Sequence, residues 1–177
     1  MNQPAGDPNW PAGNDSTHAA DQTQLPDDPA AAAAALGIDA GYSNDSLLAT
    51  LAPLQNGGGY PELAAFLQAL REGFLIVDIT GTNSKKKGPR ARTIRATNGQ
   101  QVLPLFTSMA ELRRAARNDG VKGAVMPAAE ALALVRGGTI AGIELNPGSA
   151  KLVLLRKFVE FALDEPEITA ARLEAGI

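Results

Sequence analysis

In the stretch ELNPGSAK, residues 144–151, a carboxylate, an amide, a hydroxyl and an amine crowd into a few positions. Those residue types can carry acyl chemistry without histidine. Ser149 would be the nucleophile, Lys151 its partner, Glu144 a base and Asn146 a hydrogen-bond donor. The same residues also spell a turn: Asn146 tolerates the position before proline, Pro147 fixes φ, and Gly148 supplies a positive φ. The turn is the simpler reading, because nothing nearby desolvates Lys151 enough to make it a base. Asp78 and Glu144 are the acids that fall inside apolar, strand-like runs. Two carboxylates in one cleft can do acid–base work, although such residues more often face water or pair with arginine.

A second grouping is electrostatic. Between Asp78 and Glu111 the chain holds Lys85, Lys86, Lys87, Arg90, Arg92 and Arg95 and no acid. Such a run can bind phosphates or an acidic protein surface, more weakly as salt rises. It can equally be a solvated loop whose charges keep a sheet edge from self-association. No aromatic residue is interleaved, so base stacking of single-stranded nucleic acid has little support, and nucleic acid is the lesser option.

Other chemistries are excluded by absence. There is no cysteine, so no thiolate nucleophile, disulfide or thiolate metal site exists, and His18 is the single histidine. No cofactor is expected. Gly57-Gly58-Gly59 and Gly137-Gly138 lack the spacing of a phosphate-cradling loop. The opening, MNQPAGDPNWPAGNDSTH, has neither a basic start nor an apolar core, so no signal peptide is expected. No segment has the roughly 20 apolar residues of a membrane span. A cytoplasmic protein that does not enter membranes is therefore expected.

The elements that must position these residues follow from pattern. Residues 1–44 hold Asp7, Asp15, Asp21, Asp27, Asp28 and Asp39 with no Lys or Arg, and are rich in Pro, Gly and Ala. They read as a disordered acidic tail, because they bury too little to offset ~1–2 kcal/mol of backbone entropy per residue. The alanine run 30–35 could be helical but has little to pack against. From 45 onward the chain reads as one domain, carrying 16 basic residues. Asn44 or Asp45 caps a helix with Leu47, Leu48, Leu51 and Leu54 on one face. YPELAAFLQALREG follows, with Pro61 at its start and Gly73 past its end. FLIVDI reads as a strand. Asn98-Gly99 predicts a two-residue hairpin pairing Arg95 with Val102 and Ile94 with Leu103. Pro104 then suggests a sheet edge or a bulge.

Ser108 and Glu111 form an S-x-x-E capping box, with Met109, Leu112 and Ala116 inward. A strand over 123–126, a helix opened by Pro127, strands over 140–146 and 151–155, and two closing helices complete the order. Strand–helix alternation mixed with hairpins predicts an α+β domain: a mixed β-sheet with helices packed on its faces.

The segments LIVDITG, VLPLFTSMAELRRA, GAVMPAAEALALV and AGIELNPGSAKLVLL, in this order and spacing, resemble the N-terminal domain of the SseB family. The resemblance covers roughly residues 46–163. It implies no catalytic residues, since the family has none accepted and its molecular activity is not established. The family name comes from a serine-sensitivity phenotype, and a sulfurtransferase partner is associated with it. The reading that follows is a non-enzymatic protein-interaction or regulatory module, contacting another protein through the basic loop or the edge near Pro104. Anion or nucleic-acid binding through 85–95 is second, and a hydrolase-like enzyme using Glu144, Ser149 and Lys151 is third.

Overall fold

The structure is a computed structural model that describes residues 25, 28–39, 41–82, 89–96 and 99–176. Residues 1–24 of the acidic segment, Lys85, Lys86 and Lys87, and Asn98 lie outside the described residues. Helices α1 (Pro29–Ala35), α2 (Asp45–Gln55) and α3 (Tyr60–Arg71) lead into β1 (Phe74–Asp78), β2 (Ile94–Arg95) and β3 (Gln101–Phe106). Then come α4 (Met109–Ala116), β4 (Gly123–Pro127), α5 (Ala128–Ala133), β5 (Gly142–Leu145), β6 (Leu152–Leu155), α6 (Arg156–Asp164) and α7 (Ala170–Gly176). The fold is α+β with a mixed sheet of order β4-β1-β3-β5-β6, and β2 pairs with β3 off this path. β3 and β5 run parallel; the other pairs are antiparallel.

Local chemistry sets the helix ends. Asn44 Oδ1 accepts the Leu47 N–H at 3.1 Å, while its Nδ2 donates to the Phe74 carbonyl, so the cap of α2 is also tied to β1. Glu62 reaches back to the Gly59 N–H at 2.8 Å, closing the start of α3. Ser108 accepts the Glu111 N–H at 3.3 Å. The other half of the expected capping box does not form, because the Glu111 carboxylate is taken by Ser149 and Arg114.

One face of the sheet is buried across its width, and the other is covered where α4 lies on β1 and β3. Leu75, Val77, Leu103, Leu105, Ile143 and Leu145 join the main core beneath α2, α3, α5 and α6. Phe66 of α3 is fully buried there, a contribution of roughly 1.5–3 kcal/mol for a side chain of this class. On the opposite face Ile76, Phe106 and Leu112 form a smaller cluster with Met109, Ala115 and Val121. Ala115 therefore takes the packing place expected of Ala116, which is exposed.

Three expectations are corrected. The β2–β3 register is shifted by one: Ile94 opposes Val102 and Arg95 opposes Gln101. Ala96 donates to Gln100 at 2.9 Å, so three residues, 97–99, connect the strands instead of two. Pro104 is not at an edge. It is buried in β3, between β1 and β5. The Gln101 and Leu105 carbonyls both accept from the β5 side, so by alternation Pro104 faces the other side. There β3 changes partner, from β2 at 101–102 to β1 at 105–106, and a missing N–H breaks no ladder bond.

The alanine run is the third correction, since it does not lack a packing partner. α1 lies against β4, with Ala33 buried. Its end is closed by Ile38 N–H bonding Ala33 O at 3.0 Å. Leu25 is also buried, in the main core.

Candidate functional site

The turn after β5 is built around one side chain. Asn146 is 1% exposed and sits at φ 47, a left-handed conformation that asparagine adopts more readily than most residues. Its Oδ1 accepts the Thr107 N–H at 3.0 Å, and its Nδ2 donates to the Thr107 hydroxyl at 3.0 Å. The Asn146 carbonyl accepts from the Ser149 and Lys151 backbones at 2.9 and 3.0 Å. Thr107 in turn uses its carbonyl to accept the Asn44 N–H at 2.9 Å. Asn44, Thr107 and Asn146 thus join the start of α2 to the carboxyl ends of the parallel strands β3 and β5.

Gly148 does not supply the positive φ expected of it; Asn146 and Lys151, at φ 47 and 52, do. Gly148 is required for a different reason. A Cβ there would fall 2.8 Å from Ala115 N, so the turn presses its backbone on α4. Gln55 pins the turn from the other side by donating to Ala150 O at 2.8 Å.

The grouping of Glu144, Ser149 and Lys151 does not assemble. The exposed Ser149 hydroxyl donates to Glu111, whose other oxygen pairs with Arg114 at 3.0 Å. Among the described residues Ser149 makes no hydrogen bond to Lys151 or Glu144. Glu144 lies on β5, opposite Val153. Continuing the register by one residue places Asp78 and Glu144 on either side of Pro104 in one cross-strand row, two strand spacings or about 10 Å apart. Asp78 is already committed. Its carboxylate accepts the Thr80 N–H at 2.8 Å and the Arg92 guanidinium at 3.2 Å.

Asp78 and Arg92 line a groove of about 200 Å³ together with Pro104, Phe106, Leu112 and Pro147. Its walls are apolar and its ionisable pair is matched internally. Among the described residues, no group of three or more acids or histidines could hold a metal ion.

Of the basic run, Arg90, Arg92 and Arg95 are described. The Thr82 hydroxyl lies 2.8 Å from the Arg90 carbonyl oxygen and accepts the Arg90 N–H at 3.1 Å, and Arg92 N–H bonds Asp78 O at 2.8 Å. These contacts close the base of the loop against β1. Arg92 is held by Asp78, and Arg95 donates to Gly99 O at 3.2 Å.

The profile of the SseB protein N-terminal domain matches residues 47–160, well over half of the chain. The chain belongs to the SseB family. No curated protein matches it, and no solved structure does. Within this SseB domain the matched span runs from α2 into α6, and so includes Thr107, Asn146 and the whole sheet. Among its described residues no helix is long and apolar enough to cross a membrane.

One surface was missed by sequence reasoning. Among the described residues β4 has α1 against it, whereas β6, the other end of the sheet, packs with β5 and the helix that follows it. Val153 and Leu155 on β6 are 42% and 45% exposed. The strand expected over 151–155 carried no sign of which of its residues would face solvent. Val153 and Leu155 face solvent because α4 packs on β1 and β3 and leaves that face of the sheet open at β6.

Proposed function

We propose that this SseB domain is a non-enzymatic protein-interaction module acting in the cytoplasm. What supports the reading is the open edge at β6: an apolar strand at the end of the sheet, with Val153 and Leu155 facing solvent. Exposed apolar edge strands invite pairing with other chains, so one that no described residue covers is better suited to a partner than to isolation. The polar groups offered for catalysis, by contrast, are spent in structural pairs: Ser149 with Glu111, Asp78 with Arg92, and Asn146 with Thr107. The partner is another protein, and a sulfurtransferase, suggested by family resemblance, is the first to test.

The test is affinity capture from cell extract with mass spectrometry. The parent and Ser149→Ala should retain the same specific protein, while Val153→Thr combined with Leu155→Thr should lose it. Retention by the edge variant and loss by Ser149→Ala would reverse the assignment.

A further inference from the structure

Resting on that reading, we infer that the β6 edge binds an extended peptide segment by strand addition, and that the segment carries apolar residues at alternate positions between acidic ends. The backbone supplies the first half of the argument. Arg156 N–H bonds Ala141 O at 2.8 Å, and from there the antiparallel register pairs Ile143 with Leu154 and Leu145 with Leu152. By the alternation of an antiparallel ladder, Leu152 and Leu154 turn their N–H and C=O groups toward β5. Val153 turns both of its groups outward and Leu155 its N–H, where no described residue meets them; the Leu155 carbonyl, at the cap of α6, is taken by the first turn of that helix. A strand laid along this edge would satisfy those groups.

The side chains supply the second half. Val153 and Leu155 lie on one face of β6, beside Glu144 and Gly142 of β5. A strand added outside β6 would set its own alternate side chains next to them, so apolar residues at i and i+2 fit. Both ends of the edge are basic. Lys151 precedes the strand and Lys157 follows it; both are exposed, and among the described residues neither has an ion-pair partner. Arg156 is paired with Glu160 at 2.7 Å, so Lys151 and Lys157 carry the unmatched charge.

This charge placement selects the occupant. In an antiparallel pair of two β6 strands, the basic start of one strand meets the basic end of the other, and like charges opposite each other are unfavourable. Lysines at an edge are a usual guard against self-pairing. A segment with acidic ends meets the opposite condition at both places. Glu144 does not interfere, since it lies on the inner strand, away from the two ends.

The probe is a short fluorescent peptide alternating Val and Thr between pairs of Asp, with a Lys-ended version as control. By fluorescence anisotropy, the full chain should bind the Asp-ended peptide, more weakly as salt rises, and the Lys-ended one at least about tenfold less well. Val153→Thr with Leu155→Thr should weaken binding about tenfold, and threonine keeps both strand propensity and the cap before α6. Lys151→Glu with Lys157→Glu should invert the preference between the two peptides. Hydrogen exchange should show the Val153 and Leu155 amides gaining protection on binding, with Leu154 unchanged.

Binding without that protection would overturn strand addition. So would a concentration-dependent dimer of the parent chain that the double-threonine variant abolishes. If capture from extract retains a specific protein while neither peptide binds, the interaction module stands and the strand-addition inference fails.

Discussion

Asn146 and Thr107 grip each other across 39 residues of sequence, each supplying what the other lacks inside the protein. The pair joins the carboxyl ends of β3 and β5, the two parallel strands. It converts a turn that could have been a reactive lip into a clasp.

Asn146→Ala should be strongly destabilising. It orphans the Thr107 N–H and hydroxyl in a buried place and forces a Cβ-branched-free but non-glycine residue into the left-handed region without compensation. A loss of about 2–4 kcal/mol is expected from the unpaired groups and strain together. Thr107→Val removes only the hydroxyl and should cost about 1–2 kcal/mol. Urea unfolding midpoints would rank the two, and equal small effects would deny the clasp its role.

Gly148→Ala tests the close approach to α4. The added methyl meets Ala115 N and Cα, which are backbone atoms and cannot swing aside. A cost of about 1–3 kcal/mol is expected. If the glycine were there only for φ, Gly148→Asn would be well tolerated; here it should be at least as damaging as alanine.

Asp78 and Arg92 should respond unequally. The carboxylate is 10% exposed and holds both Thr80 and Arg92, whereas the Arg92 side chain is 47% exposed. Asp78→Ala should cost about 1–3 kcal/mol, because it leaves the Thr80 N–H without its acceptor and loosens the loop base. Arg92→Ala should stay within about 1 kcal/mol, the range of a solvent-screened pair. Thermal unfolding of both variants measures the difference.

Ser149→Ala should change stability by no more than about 0.5 kcal/mol, since the Ser149 hydroxyl is exposed and Glu111 keeps its Arg114 partner. A fluorophosphonate probe should leave Ser149 unlabelled, because no described base other than a carboxylate contacts its hydroxyl. Stoichiometric labelling would revive a nucleophilic role.

Much of the fold was legible along the chain because its signals act within a turn of backbone. Asn44 caps α2, Ser108 caps α4, and Gly73 at φ 68 follows α3, each through contacts spanning a few residues. Apolar period then separated strands from helices, and their order came out as read from Asp45 onward.

Tertiary structure decided the rest. Whether Pro104 lies at an edge depends on which strands flank β3, and the hairpin register depended on one residue of loop length. The destiny of Ser149 was set by α4 bringing Glu111 to it from 38 positions away. The residue types at each position are local facts, and they fixed what chemistry was possible. Which groups meet is settled by sheet order and packing, because those contacts join segments far apart in the chain; that is why LVLL became an open edge and ELNPGSAK a clasp.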